Sequence, residues 1–522
     1  MLHPSPVSWK RIETSEKPFM KNGMLHIPSP VFSELAFAAF HDVSFFLRSS
    51  HLKAVREVFD SRTASANERF VALELLKNAC IAANGVLPLC QDTGTAIVFG
   101  EKGHLVMTDG NESAALAAGI GKAYKTLNLR YSQNAPESLF REKNTKTNLP
   151  AQIDLTAVSG DAFNFLFMAK GGGSANKTFL FQETKALLNE DALFAFLAEK
   201  IASVGVSACP PYHLAVVVGG LSAEMTLKTV KLASARALDE MPASDSGFRD
   251  REAEEKLKEI VNRNGFGAQF GGTHFCLDVR VIRLARHGAS LPVGIGVSCA
   301  ADRNISGKIT AEGAFLESLE TDPAQFLPDP KETALSEGAF PLDLDRPLPD
   351  TLKDLDALPV GARVSLNGTL IVARDIAHAR FKERFERGEG VPDYLKRHPV
   401  FYAGPAKKPE GFDCGSLGPT TAGRMDPYVA LLQENGASLI MIAKGNRSAA
   451  VVDSCRRHGG FYLGAPGGTA AQTAFEHILS CECIDYPDLG MEAVWKITVK
   501  NFPAFVVIDN KGNEFYSQIR RK

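Results

Sequence analysis

The 522-residue sequence lacks several patterns that would quickly assign it to a class of protein. It contains no C-x-x-C pair, so a zinc ribbon or a thioredoxin-like dithiol is not supported. Its apolar runs, such as residues 214–220, are far shorter than the roughly 20 residues that cross a bilayer. The formal net charge is only -2, so no overall field attracts nucleic acid or anionic lipid. We therefore expect a globular protein with neither a membrane nor a nucleic-acid partner.

Chain length and cysteine content suggest the organisation and the compartment. Because single hydrophobic cores stop growing at roughly 250 to 300 residues, at least two domains are expected. The nine cysteines, an odd number, favour a reducing compartment, and we interpret the closest pair, Cys481 and Cys483, as structural. Acidic residues near the N-terminus do not fit a transit peptide. The predicted location is cytoplasmic, with a mitochondrial location as the alternative.

Hydrophobic periodicity predicts helices first and then a mixture of helices and strands. Apolar residues recur at helical spacing over 32–47 and again over 68–83. From about 150 to 310, short β-type runs occur at residues 163–168, 214–218, 280–284 and 293–297. Helix and strand are therefore interleaved in this region.

A proline-rich segment divides the sequence. Six prolines lie between residues 321 and 350, which is typical of a connection between domains. Beyond it, the pattern predicts a strand pair or bent strand at 363–373, a charged helix at 376–389, a buried strand at 437–443 and a final hairpin from 504–508 to 514–516. Together these patterns predict an α/β (α+β) fold with two domains. The predicted limits are an N-terminal extension at 1–30, an N-terminal domain at 31–320, a linker at 321–340 and a C-terminal β/α domain at 341–522.

The glycine-rich segment Lys170–Thr178 is similar to a phosphate-binding loop, but Asn176 stands where that pattern requires a second glycine. Nucleotide binding is therefore one alternative for this segment. The N–H groups of its consecutive glycines could also bind an anion such as a carboxylate, or the glycines could simply form a tight turn.

Polar or reactive residues follow apolar runs at several places. Cys90-Gln91-Asp92 precedes a predicted strand at 95–99, and Cys209 and Cys299 also stand at the ends of elements. Loop residues on a rigid scaffold often carry chemistry, although a single cysteine is also a common buried apolar residue. In the second half, Arg374 and Lys444 follow predicted strands, where they could project over a sheet edge and bind carboxylates or remain solvated surface charges.

Ten motifs, in order along the chain, resemble class I fumarate hydratase, the iron-sulfur fumarases. They are CQDTGTAIVFG, NLRYSQNAPE, NLPAQIDL, KGGGSANKT, ACPPYHLA, GAQFGG, RHGASLPVGIGVSC, SLNGTLIVARDIAHA, GSLGPTTAGRMDPY and AKGNRS. The resemblance implies a homodimer whose N-terminal domain holds a [4Fe-4S] cluster and whose swivelling C-terminal domain closes over it. The implied reaction is the reversible hydration of fumarate to (S)-malate.

The same resemblance assigns roles to individual residues. The implied cluster ligands are Cys90, Cys209 and Cys299, which leave one iron open as a Lewis acid. Thr420 would be the base, assisted by Arg424 and Asp92, and Asp92 would also protonate the departing hydroxide. The implied substrate-binding residues are Gln91, Asp92, Arg130, Gly173, His287, Arg374, Thr420, Arg424 and Lys444.

Two further hypotheses remain open at this stage. Another cluster-dependent hydro-lyase of the same architecture would act on tartrate or mesaconate. An iron-responsive binding module would act when its cluster is lost, but the near-neutral charge gives it no nucleic-acid footprint.

Overall fold

The computed structural model describes residues 8–330 and 338–520, and three large β-sheets carry most of its core. The predicted mixture of helices and strands is confirmed. Within these two ranges, no helix is both long and apolar enough to cross a membrane.

The first sheet packs against two long helices. Its strands lie in the order β1 (Trp9–Ile12), β16 (Gly313–Glu317), β15 (Asn304–Thr310), β9 (Phe163–Lys170), β4 (Thr95–Gly103) and β8 (Gln152–Val158). Because side chains alternate along a strand, the buried rings of Phe163, Phe165 and Phe167 share one face of β9. Phe32 and Phe40 of helix α1 (Ser29–Phe45) meet these rings edge-on, and α4 (Glu112–Thr126) packs beside α1.

The second sheet brings two of the candidate cysteines together. Its strands lie in the order β10 (Phe179–Glu183), β14 (Leu291–Ser298), β11 (Tyr212–Gly220), β13 (Cys276–Arg286) and β12 (Gly247–Arg249). Strand β11 is buried along its whole length, and it runs parallel to β13 and antiparallel to β14. Residues just before β11 therefore lie beside residues just after β14, which are the positions of Cys209 and Cys299.

The third sheet lies beyond the proline-rich segment and closes on itself. Its strands are β17 (Phe340–Asp343), β18 (Arg363–Val372), β19 (Val400–Phe401), β20 (Ile440–Ala443), β21 (Phe461–Gly464), β23 (Val494–Ile508) and β22 (Ile478–Asp485). Because β23 pairs with β18 as well as with β21, the strands β18 to β21 and β23 form a closed ring. Strands β18, β19 and β20 are parallel, so their carboxyl ends share one edge.

Smaller elements complete the described part of the chain. Two small sheets hold β2 (Phe19–Lys21), β3 (Met24–Ile27) and β5 (Val106–Thr108), and β6 (Asn134–Pro136) with β7 (Glu142–Asn144). The remaining α-helices are α2 (Ser49–Asp60), α3 (Ala66–Ala82), α5 (Gly172–Ala175), α6 (Glu190–Val204), α7 (Ala223–Ser234), α8 (Arg251–Asn262), α9 (Leu348–Asp356), α10 (Asp375–Glu386), α11 (Asp393–Arg397), α12 (Asp426–Glu434), α13 (Ala449–His458), α14 (Ala470–Gln472) and α15 (Phe515–Arg520).

Hydrophobic contacts join the parts of the chain on either side of the proline-rich segment. The rings of Phe270 and Phe505 stack with centroids 3.9 Å apart, and Phe70 lies 6.0 Å from the Phe505 ring. All three rings belong to one cluster of buried side chains that draws on both parts. The predicted domain limits remain predictions, and part of the predicted linker, 331–337, lies outside the described residues.

Most predicted elements correspond to observed ones. The two predicted N-terminal helices are α1 and α3, and the four β-type runs lie within β9, β11, β13 and β14. The segment 363–373 is one strand, β18, with a register shift between Leu366 and Gly368, which confirms the bent-strand alternative. The charged helix is α10, and the buried strand before Lys444 is β20.

The prediction of a C-terminal hairpin is wrong. A single bridge pairs Ile508 with Glu514, and helix α15 follows instead of a second strand. The Glu514 side chain accepts hydrogen bonds from the backbone N–H groups of Tyr516, at 3.1 Å, and Ser517, at 2.6 Å. Because a helix leaves its first N–H groups unpaired, this side chain stabilises a helix start.

The glycine-rich segment does not have the geometry of a nucleotide-binding loop. After β9, its glycines form the four-residue helix α5, and strand β10 begins at Phe179. A phosphate-binding loop leads into a full helix whose N-terminus faces the phosphates. The observed single helical turn does not supply that arrangement.

Candidate active site

Three cysteines from three loops meet between the two parts of the chain. Cys90 lies between α3 and β4, Cys209 directly before β11, and Cys299 directly after β14. The Ala300 N–H donates a hydrogen bond of 3.0 Å to the Cys209 carbonyl, which joins two of the loops. Burial raises the pKa of the Cys90 and Cys209 thiols, and the nearby Cys299 thiol raises both further.

The backbone around Cys209 is constrained. Cys209 has φ 63, in the left-handed region that residues other than glycine rarely adopt. Gly467 approaches it so closely that a Cβ at this position would lie 2.3 Å from the Cys209 sulfur. Strain of this kind persists only where surrounding structure enforces it, and it is common at functional sites.

Two cations, Lys444 and Arg303, lie beside these thiols. Lys444 Nζ donates a hydrogen bond of 2.8 Å to the Cys209 sulfur. Burial opposes the charge of Arg303, but the Cys90 and Cys299 thiols and Asp92 outweigh it and raise the pKa of this guanidinium. Metal ligation requires deprotonated cysteines, so cations at this place would balance the negative charge of a bound cluster.

The donor set fits a cluster of several irons better than a single ion. One tetrahedral metal with sulfur ligands at about 2.3 Å would bring the sulfurs to roughly 3.8 Å from one another. Within residues 8–330 and 338–520, the three thiols do not form a group whose ligand atoms all lie within 4.8 Å. Three converging cysteines without a short C-x-x-C spacing therefore suit a larger inorganic core.

The one compact group of potential ligands in the described ranges, His51, His213 and Asp302, is a hydrogen-bonded support. His51 contacts the Ala300 carbonyl at 3.0 Å and the His213 ring at 2.9 Å. The other ring nitrogen of His213 lies 2.9 Å from Asp278. Because these ring nitrogens are engaged in hydrogen bonds, the group holds the loop after Cys299 in place.

Asp92 is bound by cations and by the glycine-rich loop. Its carboxylate pairs with Arg130 at 3.0 Å and accepts a hydrogen bond of 2.8 Å from the Gly172 N–H. Burial favours the neutral acid, but Arg130, Arg303 and the Gly172 N–H outweigh it, so the pKa of Asp92 lies well below its usual range. The glycine N–H group therefore binds a carboxylate, and here that carboxylate belongs to Asp92.

Gln91 joins the first cysteine loop to the segment before Thr420. Its side chain is buried, its Nε2 donates to the Pro419 carbonyl at 3.3 Å, and its Oε1 accepts a bond of 3.5 Å from the Cys90 thiol. The loop that carries Cys90 is thereby fixed against the second half of the chain.

Thr420 lies at the shared edge of the parallel strands β18, β19 and β20. Its N–H donates to the Tyr402 carbonyl at 2.7 Å, and its carbonyl accepts from the Lys444 N–H at 3.1 Å. Arg374 stands two residues after the end of β18. It donates a hydrogen bond of 3.4 Å to the Thr420 hydroxyl and also pairs with Glu492. The expectation that Arg374 and Lys444 stand at one sheet edge agrees with this geometry.

The remaining predicted substrate-binding residues are Arg424, Gly173 and His287, and each lies in a different place. Arg424 is 43% exposed and pairs with Asp375 at 3.2 Å rather than contacting Thr420. A Cβ on Gly173 would lie 3.7 Å from Lys444 Nζ, so this glycine borders the site. His287 is exposed at the turn between β13 and β14. Strand β14 separates it from Cys299 by about 23 Å, at about 3.3 Å per residue, so one chain does not bring His287 to this site.

A cavity of about 830 Å³ leads to these groups, with Asp92, Arg130, Arg374 and Arg424 in its wall. Lys407 and Lys408 also line it. The arginines in the wall could pair with the carboxylates of a small dicarboxylate, and acidic side chains such as Glu142, Asp413 and Glu492 line the cavity as well. Sequence reasoning assigned no role to Arg303 or Glu492, although Arg303 stands only four residues after Cys299, the last residue of a quoted motif.

Comparisons with known proteins cover nearly the whole chain. The sequence model of the family described as Fumarate hydratase (Fumerase) matches residues 33–308, and that of Fumarase C-terminus matches 313–519. Over 501 residues, the chain is 56% identical to "Fumarate hydratase class I, aerobic" of Escherichia coli (strain K12), which covers 95% of this chain and 91% of that protein.

Two further relatives cover different shares of the chain. "Fumarate hydratase 1, mitochondrial" of Leishmania major is 54% identical over 502 residues, covering 95% of this chain and 91% of that protein. "Putative L(+)-tartrate dehydratase subunit beta" of Methanocaldococcus jannaschii is 36% identical over 178 residues, covering 33% of this chain and 90% of that protein.

The match over both halves confirms the resemblance that the ten sequence motifs indicated. The chain belongs to the class I fumarate hydratase family and has the fumarate-hydrating activity of that family.

Proposed function

We propose that the chain converts fumarate reversibly to (S)-malate with a [4Fe-4S] cluster held by Cys90, Cys209 and Cys299. The observation that carries this proposal is the convergence of three thiols from separate loops beside Lys444 and Arg303, close to a cavity whose wall contains Asp92 and three arginines. When bound, such a cluster supplies a Lewis-acidic iron at the position that three cysteine ligands leave open.

Cationic side chains would bind the two carboxylates of the substrate. Arg130, Arg374 and Arg424 line the cavity, and arginine pairs bidentately with carboxylate. Lys444 and Gln91 lie deeper, next to the cysteines. Fixed cations at both ends of a small dicarboxylate would orient it and stabilise the negative charge that develops during the reaction.

In the hydration direction, Asp92 and Thr420 begin in the protonation states that their surroundings favour. Ionised Asp92 accepts the proton of the water that adds at C2, and the Thr420 hydroxyl donates its proton to C3. Exchange with solvent then removes the proton from Asp92 and returns one to Thr420. In the reverse direction, Thr420 is the base and Asp92 the acid, as microscopic reversibility requires. Arg374, which donates to the Thr420 oxygen, lowers the cost of the threonine alkoxide.

The proposal includes a homodimer, in which His287 of one copy would reach the site of the other. His287 is exposed and stands at the end of β14 remote from Cys299, so its predicted contact with substrate requires a second copy of the chain. The proposed location is the cytoplasm, with the mitochondrion as the alternative, since one relative carries that word in its name.

A pair of cysteine variants tests the proposed ligands. Cys299→Ser, purified without oxygen, should lose both iron-sulfur absorbance and malate formation from fumarate. Cys455→Ser is the matched control, because Cys455 is buried in α13, away from the cavity lining. A Cys299→Ser protein that keeps its cluster and its activity would refute this ligand set.

Tartrate is the second candidate substrate, because 178 residues of the chain are 36% identical to a putative tartrate dehydratase subunit. Turnover of fumarate, L(+)-tartrate and mesaconate by one enzyme preparation separates these possibilities. We expect the highest kcat/KM for fumarate, and a clear preference for tartrate would reverse the assignment.

A further inference from the structure

Two glycine-rich segments with no role in the proposed reaction meet beside Cys209. Residues 264–272 lie in the loop between α8 and β13, and residues 464–468 begin at the last residue of β21 and precede α14. One side chain of the first segment, Gln269, is only 2% exposed and joins the two segments. Because the segments belong to different halves of the chain, this side chain ties the halves together next to a proposed cluster ligand.

The Gln269 amide is hydrogen-bonded to three backbone groups. Its Nε2 donates bonds of 3.0 Å to the Pro210 carbonyl and 2.9 Å to the Gly467 carbonyl. Its Oε1 accepts a bond of 2.7 Å from the Gly467 N–H. One side chain thus pairs with both backbone groups of Gly467, as a neighbouring strand would. Among side chains of this shape, only an amide satisfies all three partners, because a carboxylate cannot donate and a thioether has no N–H.

Both residues that Gln269 binds adjoin Cys209. Pro210 directly follows it in the sequence. Gly467 packs on its side chain, since a Cβ at Gly467 would lie 2.3 Å from the Cys209 sulfur and 3.1 Å from the Cδ atom of Lys444. Gln269 therefore fixes the chain on two sides of the Cys209 sulfur, at the residue that follows this cysteine and at the glycine that covers it.

The backbone of Gln269 is held in an unfavourable conformation. Its φ is 81, in a region where glycine is the usual residue. Its N–H donates a bond of 2.9 Å to the Gly267 carbonyl, and its carbonyl accepts a bond of 3.0 Å from the Tyr516 hydroxyl. Because glycine would adopt this φ without strain, the backbone does not account for a glutamine here. The hydrogen bonds of its side chain do.

We propose that Gln269 is a positioning residue for the cluster, which holds the Cys209 sulfur in place by pairing with Gly467 and Pro210. This inference rests on the proposed function, because it takes Cys209 as a ligand. Groups that hydrogen-bond behind metal ligands orient them, and their loss typically weakens metal binding by about 10- to 100-fold. Among the described residues, Gln269 is not one of those that line the cavity, so its loss should act on the cluster and not on substrate binding.

Iron release from anaerobically purified protein tests the proposal. Gln269→Met keeps the length of the side chain and removes all three bonds, and the loss of iron-sulfur absorbance to an iron chelator is followed over time. We expect release about 10- to 100-fold faster than in the wild type, with the KM for fumarate of the still-loaded protein unchanged. Gln433→Met is the matched control, because Gln433 is also 2% exposed and binds Ser454 at 2.7 Å, away from the cavity wall. Wild-type release in Gln269→Met, or equal acceleration in both variants, overturns the proposal.

A second variant and a second measurement complete the test. Gln269→Asn keeps the amide but is one methylene too short to reach all three partners, so it replaces Gln269→Met if that variant does not fold, with the same expected direction. In protein freed of iron, a small maleimide should alkylate Cys209 several-fold faster in the variant than in the wild type, and Cys90 at the same rate in both. Unchanged alkylation of Cys209 overturns the role of Gln269 even where the wild type binds a cluster. A wild type without iron-sulfur absorbance rejects the proposed function itself, and with it this role.

Discussion

At the scale of single residues, the neighbours of Thr420 and Asp92 decide what each can do. A threonine hydroxyl is a poor base unless its alkoxide is stabilised, and Arg374 is the cation that contacts it. Asp92 is held ionised by Arg130, Arg303 and a backbone N–H group. These contacts join residues that are far apart in sequence, within the first half of the chain for Asp92 and within the second half for Thr420.

Replacing Thr420 should separate catalysis from cluster binding. We expect Thr420→Ala to lower kcat by a factor of about 10² to 10⁴, the usual contribution of a positioned acid or base. The iron-sulfur absorbance should be unchanged, because Thr420 is not among the proposed ligands. Thr421→Ala serves as the control. Wild-type kcat in Thr420→Ala would assign the proton transfer to another group.

Sequence reasoning found the site residues through the family resemblance rather than through spacing. Nothing in the spacing of nine cysteines distinguishes Cys90, Cys209 and Cys299 from the other six. The contact of Arg374 with Thr420 was not predicted because it depends on the order in which β18, β19 and β20 pair. Arg303 was not predicted to have a role because its importance comes from burial beside thiols, which a sequence does not display.

At the scale of elements, the ends of strands build the site. Cys209 and Cys299 meet because β11 and β14 are antiparallel neighbours. Arg374 and Lys444 both contact Thr420 because β18, β19 and β20 are parallel. Such edges could be predicted from short apolar runs followed by polar residues. The helix α15 could not be predicted in this way, because the local pattern is typical of a strand. The Glu514 side chain instead accepts hydrogen bonds from N–H groups at the start of the helix.

The loop that contains Gly467 offers a test at this scale. An added Cβ would meet the Cys209 sulfur at 2.3 Å, so Gly467→Ala should displace that sulfur and reduce iron-sulfur absorbance. In the control, Gly423→Ala, the nearest atom to the new Cβ lies 3.8 Å away, so its absorbance should match the wild type. Full cluster content in Gly467→Ala would show that Cys209 is not held as described.

At the scale of the whole molecule, stability should fall in acid partly because of a buried histidine in the second half. His378 is 1% exposed and packs edge-on against the rings of Tyr402 and Phe381. Burial lowers its pKa from 6.5 to about 4. Between these values the unfolded chain binds more protons than the folded one, so stability rises with pH across this window and is lost as pH falls through it.

The expected size of this effect at pH 5, relative to pH 7, is about 2 kcal/mol from His378 alone. Urea unfolding of the wild type and of His378→Leu at the two pH values measures it. The variant should show a smaller loss on acidification, and an identical loss in both proteins would exclude His378 as a contributor.

The joining of the two halves was the least predictable feature at this scale. The proline-rich segment indicated a boundary, but the stacking of Phe270 on Phe505 and the bond from Gln91 to Pro419 cross between the halves. Such contacts depend on tertiary packing, which periodicity does not report. They also bring the proposed ligands and the proposed base, which lie on different halves, close to one another.

One measurement tests the central claim most directly. Malate formation from fumarate is assayed with anaerobically purified protein before removal of its iron, after removal, and after reconstitution with iron and sulfide. We predict that activity and iron-sulfur absorbance are present together, disappear together and return together. Full fumarate turnover by colourless, iron-free protein would contradict the account.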